Sequence, residues 1–153
     1  MTVSAVLGAA PLASCDNRTP PPAPTPAPAP NPRIVYELRE KCGKNAREWF
    51  EHNNIDENAA AAGILMNSDF TSHYNEHLNR CYAVSVQMGT IPSKTEGITM
   101  TLDKHLVEVV ENKDMGRFFI NSTLSAPKFC NVGDQTCASR DEWESLVAPY
   151  MSQ

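Results

Sequence analysis

The chain is poor in basic clusters, in glycine-rich loops and in long apolar runs, and each shortage excludes a class of protein. Its 13 Lys and Arg are scattered and outnumbered by 18 Asp and Glu, for a formal net charge of -5. That is not the electrostatic footprint of a nucleic-acid binder. No apolar run reaches the ~18 residues of a transmembrane helix. The sequence holds neither a phosphate-cradling glycine motif nor a G-x-S-x-G nucleophile elbow. Five cysteines are present, but no C-x-x-C pair and no Cys/His spacing of a zinc finger.

The N-terminus reads as an address. Residues Val3 to Leu12 are short, apolar and rich in small side chains, as in the core of a signal peptide. Leu12-Ala13-Ser14-Cys15 follows and resembles the bacterial lipobox, in which cleavage before a cysteine accompanies its acylation. The resemblance implies lipidation of Cys15 and a membrane anchor. No Lys or Arg lies between Met1 and Cys15, a departure from the usual charged start that leaves an upstream start open. Thr19 to Pro32 contains eight prolines, with no apolar side chains to bury. It is expected to form an extended spacer at ~3 Å per residue. The expected organisation is therefore a lipoprotein-type signal peptide over 1–14, a lipidated cysteine and proline-rich linker over 15–32, and a small α+β domain over 33–153.

Within that domain, Asn31-Pro32 reads as a helix start, with Asn as cap and Pro in the first turn. Val35, Leu38, Cys42, Ala46, Trp49 and Phe50 then follow helical spacing, predicting a helix over 32–52. Residues 56–62 read either as a short helix ended by Gly63 or as a loop. Arg80 to Met88 alternates Tyr82, Val84, Val86 and Met88 against Cys81, Ala83, Ser85 and Gln87, which is a strand pattern. Gly89 to Gly97 reads as a polar loop. Ile98 to Leu102, His105 to Glu111 and Arg117 to Asn121 read as strands, with a turn over 112–116. Ser139 and Glu142 form a capping box for a last helix, which Pro149 should end or kink near Ala148. The fold class expected is α+β: an N-terminal helix, an antiparallel meander of three to four strands, and a C-terminal helix.

Four cysteines fall inside this domain, an even number that reads as two disulfides in an exported protein. Of the three possible pairings, Cys42–Cys81 and Cys130–Cys137 are expected. The first would staple the first helix to the central strand; the second would close a loop ahead of the last helix. Loop-entropy arithmetic assigns them roughly 4 and 2.5 kcal/mol.

Ser72-His73-Tyr74-Asn75, Leu78-Asn79, Cys81, Glu111-Asn112-Lys113 with Gly116, Cys130, Cys137, Trp143 and Pro149-Tyr150-Met151 together resemble a family of small uncharacterised exported bacterial proteins, many with lipoprotein signals. The resemblance spans 36–151 and implies export and fold, not a reaction. In that family the position of His77 tends to carry a basic residue other than histidine.

One local pattern suggests chemistry. His73-Tyr74-Asn75-Glu76-His77 fits H-x-x-E-H, in which two histidines on one helical turn bind zinc and the glutamate activates its water. Glu142 or Glu144 would supply the third protein ligand. Asn75, Asn79 and Ser72 favour a turn instead, and in an extended segment the two histidines would stand ~13 Å apart, too far for one ion. His73 and His77 are therefore weak metal candidates, and the expected reading is a polar turn feeding the central strand. His105 has no evident partner and reads as structural. Glu111 to Asp114 reads as an exposed hairpin tip suited to recognition. The expectation is a non-catalytic binding or structural module without cofactor, anchored to the bacterial envelope through Cys15 and facing the periplasm or exterior, with a zinc-dependent hydrolase as the alternative.

Overall fold

Asn31 opens the first element, its Oδ1 accepting the Arg33 N–H at 3.0 Å. The computed structural model describes residues 31–53, 66–93 and 97–152. Cys15, the lipobox, nearly all of the proline-rich spacer and the alanine run over 56–62 lie outside them. Helix α1 (Pro32–Asn53) is followed by β1 (Met66–Asn75), β2 (Arg80–Ser93), β3 (Gly97–Glu108), β4 (Lys113–Asn121), β5 (Phe129–Val132), β6 (Gln135–Thr136) and helix α2 (Arg140–Met151). All six strands form one sheet in chain order, every neighbour antiparallel. The class is α+β, with six strands where three to four were expected.

The extra strands are those whose side chains carry little burial signal. Residues 72–75, expected as part of a turn, belong to the edge strand β1. It buries Tyr74 and half-buries Phe70 toward α1 while exposing Asn67, Asp69, Thr71 and Ser72. The turn is confined to 76–79, closed by Asn79 at φ 51°. Residues 89–93, expected as loop, continue β2. The backbone ladder with β3 runs from Tyr82↔Glu108 to Ser93↔Gly97, although Ile91, Ile98 and Met100 are exposed. Because β3 is one strand from Gly97 to Glu108, the two short strands expected there merge. The turn over 109–112 carries Asn112 at φ 49°. The loop expected between Cys130 and Cys137 is a small hairpin, β5–β6, turning through Gly133 at φ 55°.

Helix α2 continues through Pro149 to Met151. The turn beyond Pro149 is held from β1. Asn75 is buried, and its Nδ2 donates to the carbonyls of Pro149 (2.9 Å), Tyr150 (3.3 Å) and Ser152 (3.1 Å). A side chain from the sheet thus satisfies the carbonyls at the end of the last turn. The Ser139 half of the expected capping box is present, Glu142 N–H reaching Ser139 Oγ at 3.2 Å, while Glu142 Oε2 accepts the N–H of Ala138, one residue before the cap, at 2.7 Å.

The two helices lie on opposite faces of the sheet. Tyr82, Val84, Leu106, Phe118 and Val132 pack with Trp143 and Val147 of α2. Tyr74, Cys81, Ala83 and Val109 pack with Cys42 and Ala46 of α1. Period-two alternation along the strands sends neighbouring residues to the two cores. The disulfide Cys42–Cys81 crosslinks α1 to β2, and Cys130–Cys137 closes the β5–β6 hairpin. No helix among the described residues is long and apolar enough to cross a membrane.

Candidate functional site

Among the described residues, those that suggested chemistry in the sequence are not brought together into a metal site. His73 is on β1, facing the α2 side beside Tyr82, and His77 is exposed on the following turn. The helical turn that H-x-x-E-H requires is not formed. Glu76 accepts from Arg39 Nη2 of α1 at 2.6 Å. Glu142 caps α2, and Glu144 accepts from Lys104 Nζ and Arg140 Nε, each at 2.8 Å. Those hydrogen bonds hold the Glu144 carboxyl down at about 2. Tyr74 OH donates to Asn79 Oδ1, and Asn75 Oδ1 accepts the Leu78 N–H at 3.0 Å, so the Ser-His-Tyr-Asn stretch shapes its own turn and caps α2. The hairpin tip over 111–114 is exposed. Asn112 Oδ1 accepts the Trp49 indole N–H at 2.7 Å. Gly116 leaves no room for a side chain, since a Cβ there would stand 2.6 Å from the Asn131 carbonyl oxygen. Among the described residues, no group of three His, Cys, Asp or Glu side chains could hold a metal ion.

A different set of residues converges on the α1 side of the sheet. Helix α1 covers β1 and β2; along the same face β3 and β4 carry polar side chains. The register places Ser85 opposite His105, Gln87 opposite Asp103, and Arg117 opposite His105. These residues line a cleft of ≈ 380 Å³ beside α1, walled by Trp49 and rimmed by Asp114. The size is within the range of small-molecule sites.

Asp103 is the hub. Arg117 forks onto it, Nε to Oδ1 at 3.0 Å and Nη2 to Oδ2 at 2.6 Å, a rigid bidentate pair. His105 Nε2 lies 3.2 Å from the same Oδ1, while its Nδ1 is 4.0 Å from Asp114 Oδ2. Burial pushes the Asp103 carboxyl up, and the hydrogen bonds from His105 and Arg117 outweigh it, holding it below the usual carboxylate range. The Arg117 guanidinium also lies 4.9 Å from the Phe129 ring centre and 5.8 Å from that of Phe119. At the floor, the Ser85 hydroxyl is buried and has no hydrogen-bond partner. An unpaired buried hydroxyl costs ~1–3 kcal/mol.

Ser85, His105 and Asp103 have the residue types of a hydrolytic triad but not its wiring. Both ring nitrogens of His105 face carboxylates, so neither activates the Ser85 hydroxyl. The described cysteines are all paired in disulfides. The arrangement offers fixed hydrogen-bonding groups beside aromatic surfaces, which is the equipment of recognition.

A second cleft, ≈ 410 Å³, opens at the other side of α1 over Cys42 and Cys81, with Lys41, Arg80, Glu108 and Glu111 around it. Three of its charges engage one another: Arg80 Nη1 is 3.0 Å from Glu111 and 3.7 Å from buried Glu108, whose carboxylate also accepts the Glu111 N–H at 2.9 Å.

Sequence reasoning missed the polar cluster. Its members come from β2, β3 and β4 and look like ordinary outward-facing strand residues one strand at a time. The available signal was parity: Ser85 and Gln87 share the Cys81 face of β2, and Asp103 and His105 alternate with Leu102, Lys104 and Leu106. No family model matches the chain, and neither a curated protein nor a solved structure does.

Proposed function

We propose that the protein is a lipid-anchored, non-catalytic binding module of the bacterial cell envelope. Cys15 carries the lipid, the proline-rich spacer holds the domain off the membrane, and the cleft beside α1 engages a ligand. The two disulfides, which belong to an oxidising, non-cytoplasmic compartment, support the exported setting. The observation that carries the binding role is the cluster on the sheet face: Asp103, His105 and Arg117 hold one another rigidly around a buried hydroxyl that no protein group satisfies. Pre-ordered polar groups bind a ligand without the entropic cost of ordering them.

The anchoring half is tested by palmitate labelling of cells expressing the full chain. The protein should carry label and fractionate with membranes, and Cys15→Ala should release it unlabelled. An unlabelled wild-type chain overturns the anchor. The binding half is tested by crosslinking in intact cells from a photoreactive residue at position 53, where exposed Asn53 lines the edge of the cleft. Capture should be lost when Arg117 is also replaced, and capture that persists places the contact elsewhere.

A further inference from the structure

We infer that the cleft beside α1 recognises an uncharged, polyhydroxylated ligand of the saccharide class; the inference rests on the binding-module reading above. Charge comes first. Histidine apart, the cleft holds two carboxylates, Asp103 and Asp114, and one guanidinium, Arg117. An anionic ligand would meet an excess of negative charge. A cationic ligand would find both Asp103 oxygens already occupied by Arg117, one of them by His105 as well, leaving the exposed rim carboxylate of Asp114 as its counter-ion. Neither ion is well matched.

Hydroxyl groups are matched. A hydroxyl donates and accepts at once, and the site presents both kinds of partner within one small cleft: guanidinium and amide donors, the Asp114 carboxylate as acceptor, and a serine hydroxyl that can do either. Ser85 is the independent pointer. It is 1 % exposed, sits on the cleft floor and lacks any partner. A ligand hydroxyl reaching it would satisfy a group that the free protein leaves unpaired. The indole of Trp49 forms part of the wall, pinned by its N–H bond to Asn112. Pinned aromatic surface suits the C–H face of a sugar ring, which stacks on aromatics while its hydroxyls bond at the edge.

The test is an NMR titration of the full chain, ¹⁵N-labelled, carrying Cys15→Ala so that it is purified without lipid. The probes are tri-N-acetylchitotriose and cellotriose, with citrate and spermidine as charged comparators. The chain has two tryptophans, so two indole cross-peaks report separately. Trp49 should shift saturably with at least one sugar, and Trp143, on the other face of the sheet, should not. Ser85→Ala should weaken that binding about fivefold, the loss of one hydrogen bond, while the melting temperature of the free protein holds or rises because an unpaired buried hydroxyl has gone. Asp114→Asn, on the exposed rim, should weaken it severalfold without touching the fold. Absence of a Trp49 shift with both sugars overturns the inference. So does equal sugar binding by Ser85→Ala, or a lowered melting temperature for that variant. A shift with citrate or spermidine alone overturns the ligand class and leaves the binding-module reading standing. That reading falls separately, by failure of the crosslinking from position 53.

Discussion

Toward α2 the sheet presents Tyr82, Val84, Leu106, Phe118 and Val132; toward α1 it presents Cys81 and Ala83 and then, along the same face, Ser85, Gln87, Asp103 and His105. The first set closes around Trp143 into a hydrophobic core. Its buried cation, Lys104, is neutralised by Glu144 at 2.8 Å and lies 5.4 Å from the centre of the Trp143 ring. The second set forms a smaller core of short side chains, held by a disulfide, beside a cleft with an orphaned hydroxyl. One face is filled mainly by large apolar side chains, with Trp143 Nε1 and His73 Nε2 buried there without a hydrogen-bond partner, and the other sets polar side chains around a cleft. A small domain can carry such a surface because the opposite face and the crosslink supply stability.

The largest test of that contrast is Trp143→Ala. It should cost about 3–5 kcal/mol, the usual loss for emptying a buried aromatic site, read as a lowered urea midpoint. Replacing Cys42 and Cys81 together by Ala should cost about 2–4 kcal/mol. Hydrogen exchange should then quicken in α1 before α2, because the smaller core depends on the staple. If both faces loosen together, the faces are not separable units and the comparison fails. Asn75→Ala removes the bonds to three carbonyls of the α2 terminus and the bond from the Leu78 N–H, and should cost about 1–2 kcal/mol, with faster hydrogen exchange confined to 149–152 and the 76–79 turn. Uniform destabilisation would contradict a capping role.

The smallest effect is acid dependence. Both faces hold a carboxyl below its ordinary range, Asp103 on one and Glu144, at about 2, on the other. A depressed carboxyl stabilises the fold above its unfolded value and loses that contribution as pH falls toward its folded value. Stability should therefore decline from the ordinary carboxylate value of 4.5 down toward 2. Glu144→Gln should flatten part of that decline while costing at neutral pH no more than the ~0.2–1 kcal/mol of a solvent-screened ion pair. Denaturant midpoints across that pH range check both statements, and an unchanged slope in the variant would remove Glu144 from the account.

How far the fold was readable depended on whether burial and backbone pairing coincide. In α1, in Arg80 to Met88 and at the Ser139–Glu142 cap, local pattern and tertiary role agree, and the elements appear where periodicity places them. They part in β1, where Ser72 and Asn75, with Asn79 just beyond, favour a turn by composition. Two helices nevertheless pack on that edge strand, burying Tyr74 on one side and Asn75 on the other. They part again beyond Met88, where β2 and β3 extend through exposed Ile91, Ile98 and Met100 because backbone hydrogen bonds, not side-chain burial, sustain the ladder. The cleft was invisible for a related reason: a polar side chain on one strand is unremarked until register sets it against polar side chains on the next two.

The His73 to Asn79 stretch shows the division. By itself the sequence determined what periodicity, capping chemistry and cysteine placement can encode locally: an α+β domain, the two terminal helices, and cysteines positioned on a helix and a strand so that they could meet. Only the tertiary structure decided that Asn75 caps a helix 74 residues away, that His73 and His77 belong to a strand and a turn rather than one helical face, and that Ser85, Asp103, His105 and Arg117 share a cleft. Those outcomes depend on strand register and on which helix covers which face, and no short window of residues contains either.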